Sequence, residues 1–134
     1  MLRRWLVSFC LLGVSAVAPA RGKPAHPEPR VIVTVTAVRG PHPAEGVQRA
    51  ARLGWGRIVR CYKTFARGAK GHVKVALEVA RAGTVSDARV AQSTLDNREL
   101  DACLANAMLA LAMPTADADS TAMLEIRLAP GDRE

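Results

Sequence analysis

The residues able to do chemistry are few. They are three cysteines (Cys10, Cys61, Cys103), three histidines (His26, His42, His72) and a thin scatter of serines and carboxylates. A metal centre needs several His, Cys or carboxylate ligands at short helical or turn spacing. No histidine here has a His partner at i+4 or a Cys at ligand spacing, so no metal or other cofactor is expected. A cysteine nucleophile needs a free thiolate beside a base. His72, on the polar side of an alternating segment, is the one candidate base in the expected core. His26 and His42 fall in proline-rich stretches outside it. Ser86, Ser93 and Ser120 lack the surroundings of a nucleophile elbow. Glu78, Asp87, Glu99, Asp101 and Glu125 are scattered, and no pair is nominated by spacing. Gly68 and Gly71 are too few for a phosphate loop. The expectation is a chain with no enzymatic activity and no small-molecule substrate.

The fate of the cysteines depends on the N-terminus. Arg3 and Arg4 form a short positive region, and residues 5–17 are uncharged and mostly apolar. Ala18-Pro19-Ala20 then places Ala18 and Ala20 at the two positions that signal peptidase reads. The reading is a cleavable signal peptide over residues 1–20. As a retained helix, residues 5–20 would rise only ~24 Å, against a hydrocarbon core of roughly 30 Å. Pro19 would also break that helix near its end. Cleavage removes Cys10 and leaves an even pair. In an oxidising compartment, location and parity then point to a Cys61–Cys103 disulfide, with two separate buried thiols as the alternative.

Without Arg3 and Arg4 the formal net charge falls from +7 to +5. That balance suits anionic neighbours such as lipid headgroups or acidic polymers. It is too diffuse to indicate nucleic acid, and aromatic residues, at 4%, are too scarce for base stacking. About 114 residues remain, enough for one domain of ordinary size.

The elements follow from periodicity. Residues 21–30 (RGKPAHPEPR) hold three prolines and form an extended tether. Residues 31–38 (VIVTVTAV) are β-branched and alternating, which predicts a first strand. From Ala44 to Ala66 the period becomes helical: Val47, Ala51, Trp55, Ile58, Tyr62 and Phe65 form one apolar stripe. Gly54 and Gly56 weaken its middle. Residues 71–80 alternate cleanly, and Arg81-Ala82-Gly83-Thr84 is a turn with Gly83 in the left-handed region. A strand over 84–93 slips phase near Asp87. Asp96 and Glu99 read as a capping box opening a helix whose buried stripe is Leu100, Leu104, Ala107 and Leu111. Met113-Pro114 ends it. Residues 123–128 alternate as a last strand. The fold class is α+β: a small three- to four-stranded antiparallel sheet with two helices packed on one face.

Two segments carry a family resemblance. GHVKVALEVARAGTVSDARVAQST at 71–94, followed by LDACLANAMLALAMP at 100–114, resembles the TonB C-terminal domain family. CYK at 61–63 and the second cysteine at Cys103 are similar to the AgmX/PglI-type C-terminal module, a TonB-like offshoot with such a Cys pair. STLDNRELDACL at 93–104 is the most specific piece, and residues 53–128 are the best-matched part of a domain spanning 31–134. Leu111-Ala112-Met113 stands where the family has a large aromatic, and the long Pro-rich linker of an energy transducer is missing. The resemblance implies an exported, non-enzymatic adaptor in the periplasm or outer envelope of a Gram-negative-type bacterium. Such an adaptor would bind an envelope protein within a transport or motility assembly. In that family an extended peptide pairs with an exposed strand edge. Carried over, that edge is the last strand: Met123, Leu124, Glu125, Ile126, Arg127 and Leu128.

A second reading rests on charge. Arg49, Arg52, Arg60, Lys63 and Arg67, with Arg57, lie off the apolar stripe and give one helix a basic face. That face either keeps a small domain soluble or docks it on anionic lipid or polymer. Trp55 and Tyr62, on the stripe, are expected in the core.

Overall fold

A computed structural model describes residues 29–131. The signal peptide with its cleavage residues Ala18 and Ala20, His26 and nearly all of the tether lie outside the described residues. The elements are β1 (Arg30–Arg39), α1 (Ala44–Leu53), α2 (Trp55–Phe65), β2 (Gly71–Val79), β3 (Val85–Ser93), α3 (Arg98–Leu109) and β4 (Ser120–Ala129). The fold is α+β, with a four-stranded antiparallel sheet in the order β1-β4-β2-β3.

Strand alternation sorts the side chains between two faces. Val73, Val75, Leu77 and Val79 on β2 and Ala122, Leu124, Ile126 and Leu128 on β4 are buried beneath the helices. Ile58, Tyr62, Leu100, Leu104 and Met108 fill the layer from the helix side. Among the described residues the opposite sheet face carries no helix.

Three helices stand where two were expected, because the stripe from Ala44 to Ala66 breaks at Gly54. That glycine sits under the chain leaving α3: a Cβ there would lie 2.5 Å from Leu111 Cδ2. The stripe keeps its phase across the break, and the two aromatics that leave it are the first and last residues of α2. Val47, Ala51, Ile58 and Tyr62 are buried, but Trp55 and Phe65 are each 41% exposed rather than in the core.

Cys61 on α2 and Cys103 on α3 form a disulfide, with Cα atoms 5.7 Å apart. It closes a loop whose ends are 42 residues apart, worth about 4 kcal/mol of unfolded-state entropy. The same two helices meet at a second point, where Asn97 Nδ2 donates to the Phe65 carbonyl (2.8 Å). Asn97 is also the N-cap of α3, its Oδ1 accepting from Leu100 N–H at 3.0 Å. The cap therefore lies one residue beyond Asp96, which takes a left-handed φ of 47°.

The β2–β3 turn has Gly83 at φ 94°, as its sequence predicts. Met113 N–H donates to the Gly83 carbonyl (2.8 Å), so the segment after α3 seals the turn. β3 is irregular at two places. Ser86 is extra between the pairs Val79↔Val85 and Glu78↔Asp87, and Ala91 is extra between Val75↔Val90 and Lys74↔Gln92.

Candidate functional site

β4 is not an edge. Met123, Leu124, Glu125, Ile126, Arg127 and Leu128 pair with β1 on one side and β2 on the other. Their main-chain groups are consumed by two ladders, so the expected docking edge is corrected. The chain's own first strand lies there. Sequence alternation shows that a segment is a strand; it does not show which strand comes to lie beside it.

The two real edges differ. On β1, the Gln48 carboxamide of α1 bonds the outward main chain like a short piece of neighbouring strand. Its Oε1 accepts from Val35 N–H (3.0 Å), and its Nε2 donates to the Val33 carbonyl (2.8 Å). Trp55 Nε1 donates to the Val31 carbonyl (3.0 Å). These side chains cap the β1 edge, a standard protection against strand addition. The sequence hid both roles, since Gln48 looks like a solvated helical residue and Trp55 like core.

β3 carries no such cap. Thr94 N–H donates to the His72 carbonyl (3.0 Å), which sets the ladder phase. Even-numbered residues of β2 face β3, so Ala88 and Val90, opposite Leu77 and Val75, turn their own N–H and C=O outward. Among the described residues these outward groups have no hydrogen-bond partner. Ser86 and Ala91 bracket this open stretch.

The uncovered sheet face adjoins it. A trough of about 420 Å³ runs from β1 to β3, with Ala37, Ala76 and Met123 at its floor. At its rim stand Arg39, Glu78, Asp87 and Arg89. Glu78 and Asp87, scattered in sequence, are direct cross-strand partners.

The basic residues expected on one helix are divided: Arg49 and Arg52 lie on α1, Arg57, Arg60 and Lys63 on α2, and Arg67 follows α2. Arg49, Arg52, Arg57, Arg60, Lys63 and Arg67 are all exposed. Leu53, in their midst, is 84% exposed.

Among the other reactive groups, one histidine is held inside the fold. His42 is 2% exposed and not outside the core as its prolines suggested. Its Nδ1 lies 2.6 Å from Ser120 Oγ, which also accepts the His42 N–H at 3.1 Å. Both residues are buried. With Cys61 and Cys103 joined, no free thiol is left among the described residues. No cluster of His, Cys, Asp or Glu there could hold a metal. Burial raises the Asp101 carboxyl above its ordinary range, against a lowering hydrogen bond from Ser93. Burial likewise raises the Tyr62 phenol, which donates to the Ala69 carbonyl (2.6 Å).

No family model matches this chain, no curated protein matches its sequence, and no solved structure matches its fold. Among the described residues no helix is long and apolar enough to cross a membrane.

Proposed function

We propose that this chain is an exported, non-enzymatic, TonB-like adaptor of the cell envelope that binds a protein partner by β-strand addition at β3. The observation that carries the reading is the asymmetry of the two edges. β1 is capped by Gln48 and Trp55, whereas Ala88 and Val90 present outward main-chain donors and acceptors with no partner among the described residues. An extended peptide laid there gains ladder hydrogen bonds whatever its side chains. Its side chains would alternate between the helix layer and the trough, where Arg89 and Asp87 stand nearest.

The test is capture from envelope extracts with the wild-type protein and Ala88→Pro as baits. Proline at 88 removes an outward N–H and leaves the ladder to β2 intact, as edge positions allow. Wild type should retain a partner that Ala88→Pro loses, with the circular dichroism of the two proteins equal. A partner held equally by both sinks the reading. So does a partner released steeply between low and physiological salt, since ladder hydrogen bonds are weakly screened. A proline at Ile126 would not test binding: β4 is a central strand, and the N–H lost there belongs to the ladder with β2, so the change tests folding.

A further inference from the structure

From Gly46 to Leu77 the chain holds eight Lys and Arg residues and no carboxylate. Most of that charge is on α1 and α2, where Glu45 at the very start is the one acid. Helical geometry gathers it on one side. On α1 the buried positions are Gly46, Val47, Ala50 and Ala51, which leaves Arg49, Arg52 and Leu53 facing outward together. On α2 the buried positions are Ile58, Val59, Cys61 and Tyr62, which leaves Arg57, Arg60 and Lys63 outward. Arg49, Arg52, Arg57 and Arg60 make no ion pair among the described residues.

Leu53 breaks the pattern. It is the most exposed large apolar side chain described, and it lies four residues from both Arg49 and Arg57. With Ala50, Gly54, Arg57, Ala110, Leu111 and Ala112 it borders a shallow cavity of about 230 Å³. An apolar spot thus stands inside a collar of unpaired guanidinium groups. A merely solubilising face does not need that leucine, and neither does a site for a free acidic polymer. A membrane surface rewards both features: anionic headgroups attract the arginines, and the boundary just beneath them accepts an aliphatic side chain.

We propose that the α1–α2 face docks on an anionic phospholipid bilayer, with Leu53 entering the headgroup layer and Arg49, Arg52, Arg57 and Arg60 pairing with lipid phosphates. This rests on charge complementarity and exposure alone and is independent of strand addition. The two surfaces are compatible. α1 and α2 pack against β1, at the end of the sheet opposite β3, so a docked molecule keeps its open edge clear.

The test uses the protein as the cell processes it, with vesicles of phosphatidylglycerol mixed into phosphatidylcholine and vesicles of phosphatidylcholine alone. Sedimentation should show binding to the anionic vesicles only, weakening steeply as salt rises to physiological strength. Arg52→Glu with Arg57→Glu, and separately Leu53→Ser, should each weaken binding by about tenfold or more. All three positions are exposed, so circular dichroism should not change. Leu53→Trp reads the contact directly: the added indole should shift to shorter emission wavelength on anionic vesicles and stay unshifted on neutral ones. Absence of that shift overturns the proposal, whatever else holds the protein to the vesicle. So does binding that Leu53→Ser leaves unchanged, or equal competition by a soluble polyanion, which would assign the face to acidic polymers.

Discussion

Ser120 Oγ and His42 Nδ1 lie 2.6 Å apart in the buried corner where β4 begins, and the same oxygen accepts the His42 N–H. One hydroxyl thereby fixes the proline-flanked connection from β1 to α1. The Nε2 of His42 has no partner among the described residues, so this corner has no second bond in reserve. Ser120→Ala strands a buried amide and a ring nitrogen, and should cost about 2 kcal/mol. For a domain of this size that lowers Tm by roughly 10 °C. A melt within a degree or two of wild type would show that the corner is held by something else.

Gln48→Ala should be felt twice. It removes two hydrogen bonds to β1, for about 1 kcal/mol of stability, and it uncaps the edge beside the exposed Ile32. The variant should associate with itself as its concentration rises, visible in sedimentation velocity, while wild type stays monomeric by this edge. A Gln48→Ala protein that remains monomeric and melts normally would remove the capping role.

Gly54 and Gly56 should answer to alanine with opposite signs. A Cβ at Gly56 meets nothing within 4 Å, so Gly56→Ala gains helix propensity and should stabilise by about 0.5–1 kcal/mol. A Cβ at Gly54 meets Leu111, so Gly54→Ala should destabilise by about 1 kcal/mol or more. Combined with Leu111→Ala, the Gly54→Ala penalty should vanish. Denaturant melts of the four proteins give the coupling energy directly.

Asp101 sets a pH dependence. Its folded carboxyl titrates above the ordinary value of 3.8, chiefly because burial disfavours the charge. The folded state therefore binds the proton more tightly than the unfolded chain. Asp101's unfavourable contribution is absent below the unfolded value and appears as pH rises through the folded one. Asp101→Asn should raise Tm at neutral pH, and the difference should close as pH falls below about 4. A gain that is constant with pH would mean that the charge is not responsible.

Much of this architecture is written locally in the sequence. The alternation of Val73, Val75, Leu77 and Val79 makes β2 and its buried face unambiguous, and Gly83 marks its turn. The pairing of Cys61 with Cys103 follows from parity once Cys10 is set aside. What was not legible is long-range. Whether residues 123–128 form an edge depends on where residues 30–39 come to rest, and nothing in either segment states it. The His42 corner needs a serine 78 residues away. The break at Gly54 depends on Leu111, and the capping work of Gln48 and Trp55 depends on strand carbonyls and amides that no helical period reports. Arg49, Arg52, Arg60 and Lys63 are exposed because helical spacing, which is local, sets them off the buried stripe; Arg67 is exposed beyond the end of α2. Leu53 among them was visible in the sequence, but its exposure was not.

Because β4 lies between β1 and β2, the middle of the sheet is supplied by the strand farthest along the described residues. Arg30 pairs with Ala129 and Val31 with Leu128, so the first and last strands close against each other. Without Ser120–Ala129, β1 has no ladder to join and the helix layer has only half a floor. Contacts of such high sequence separation form late. Removing or unpairing residues 120–129 therefore unlatches both halves of the sheet at once, and β1 and β2 are joined only through that strand.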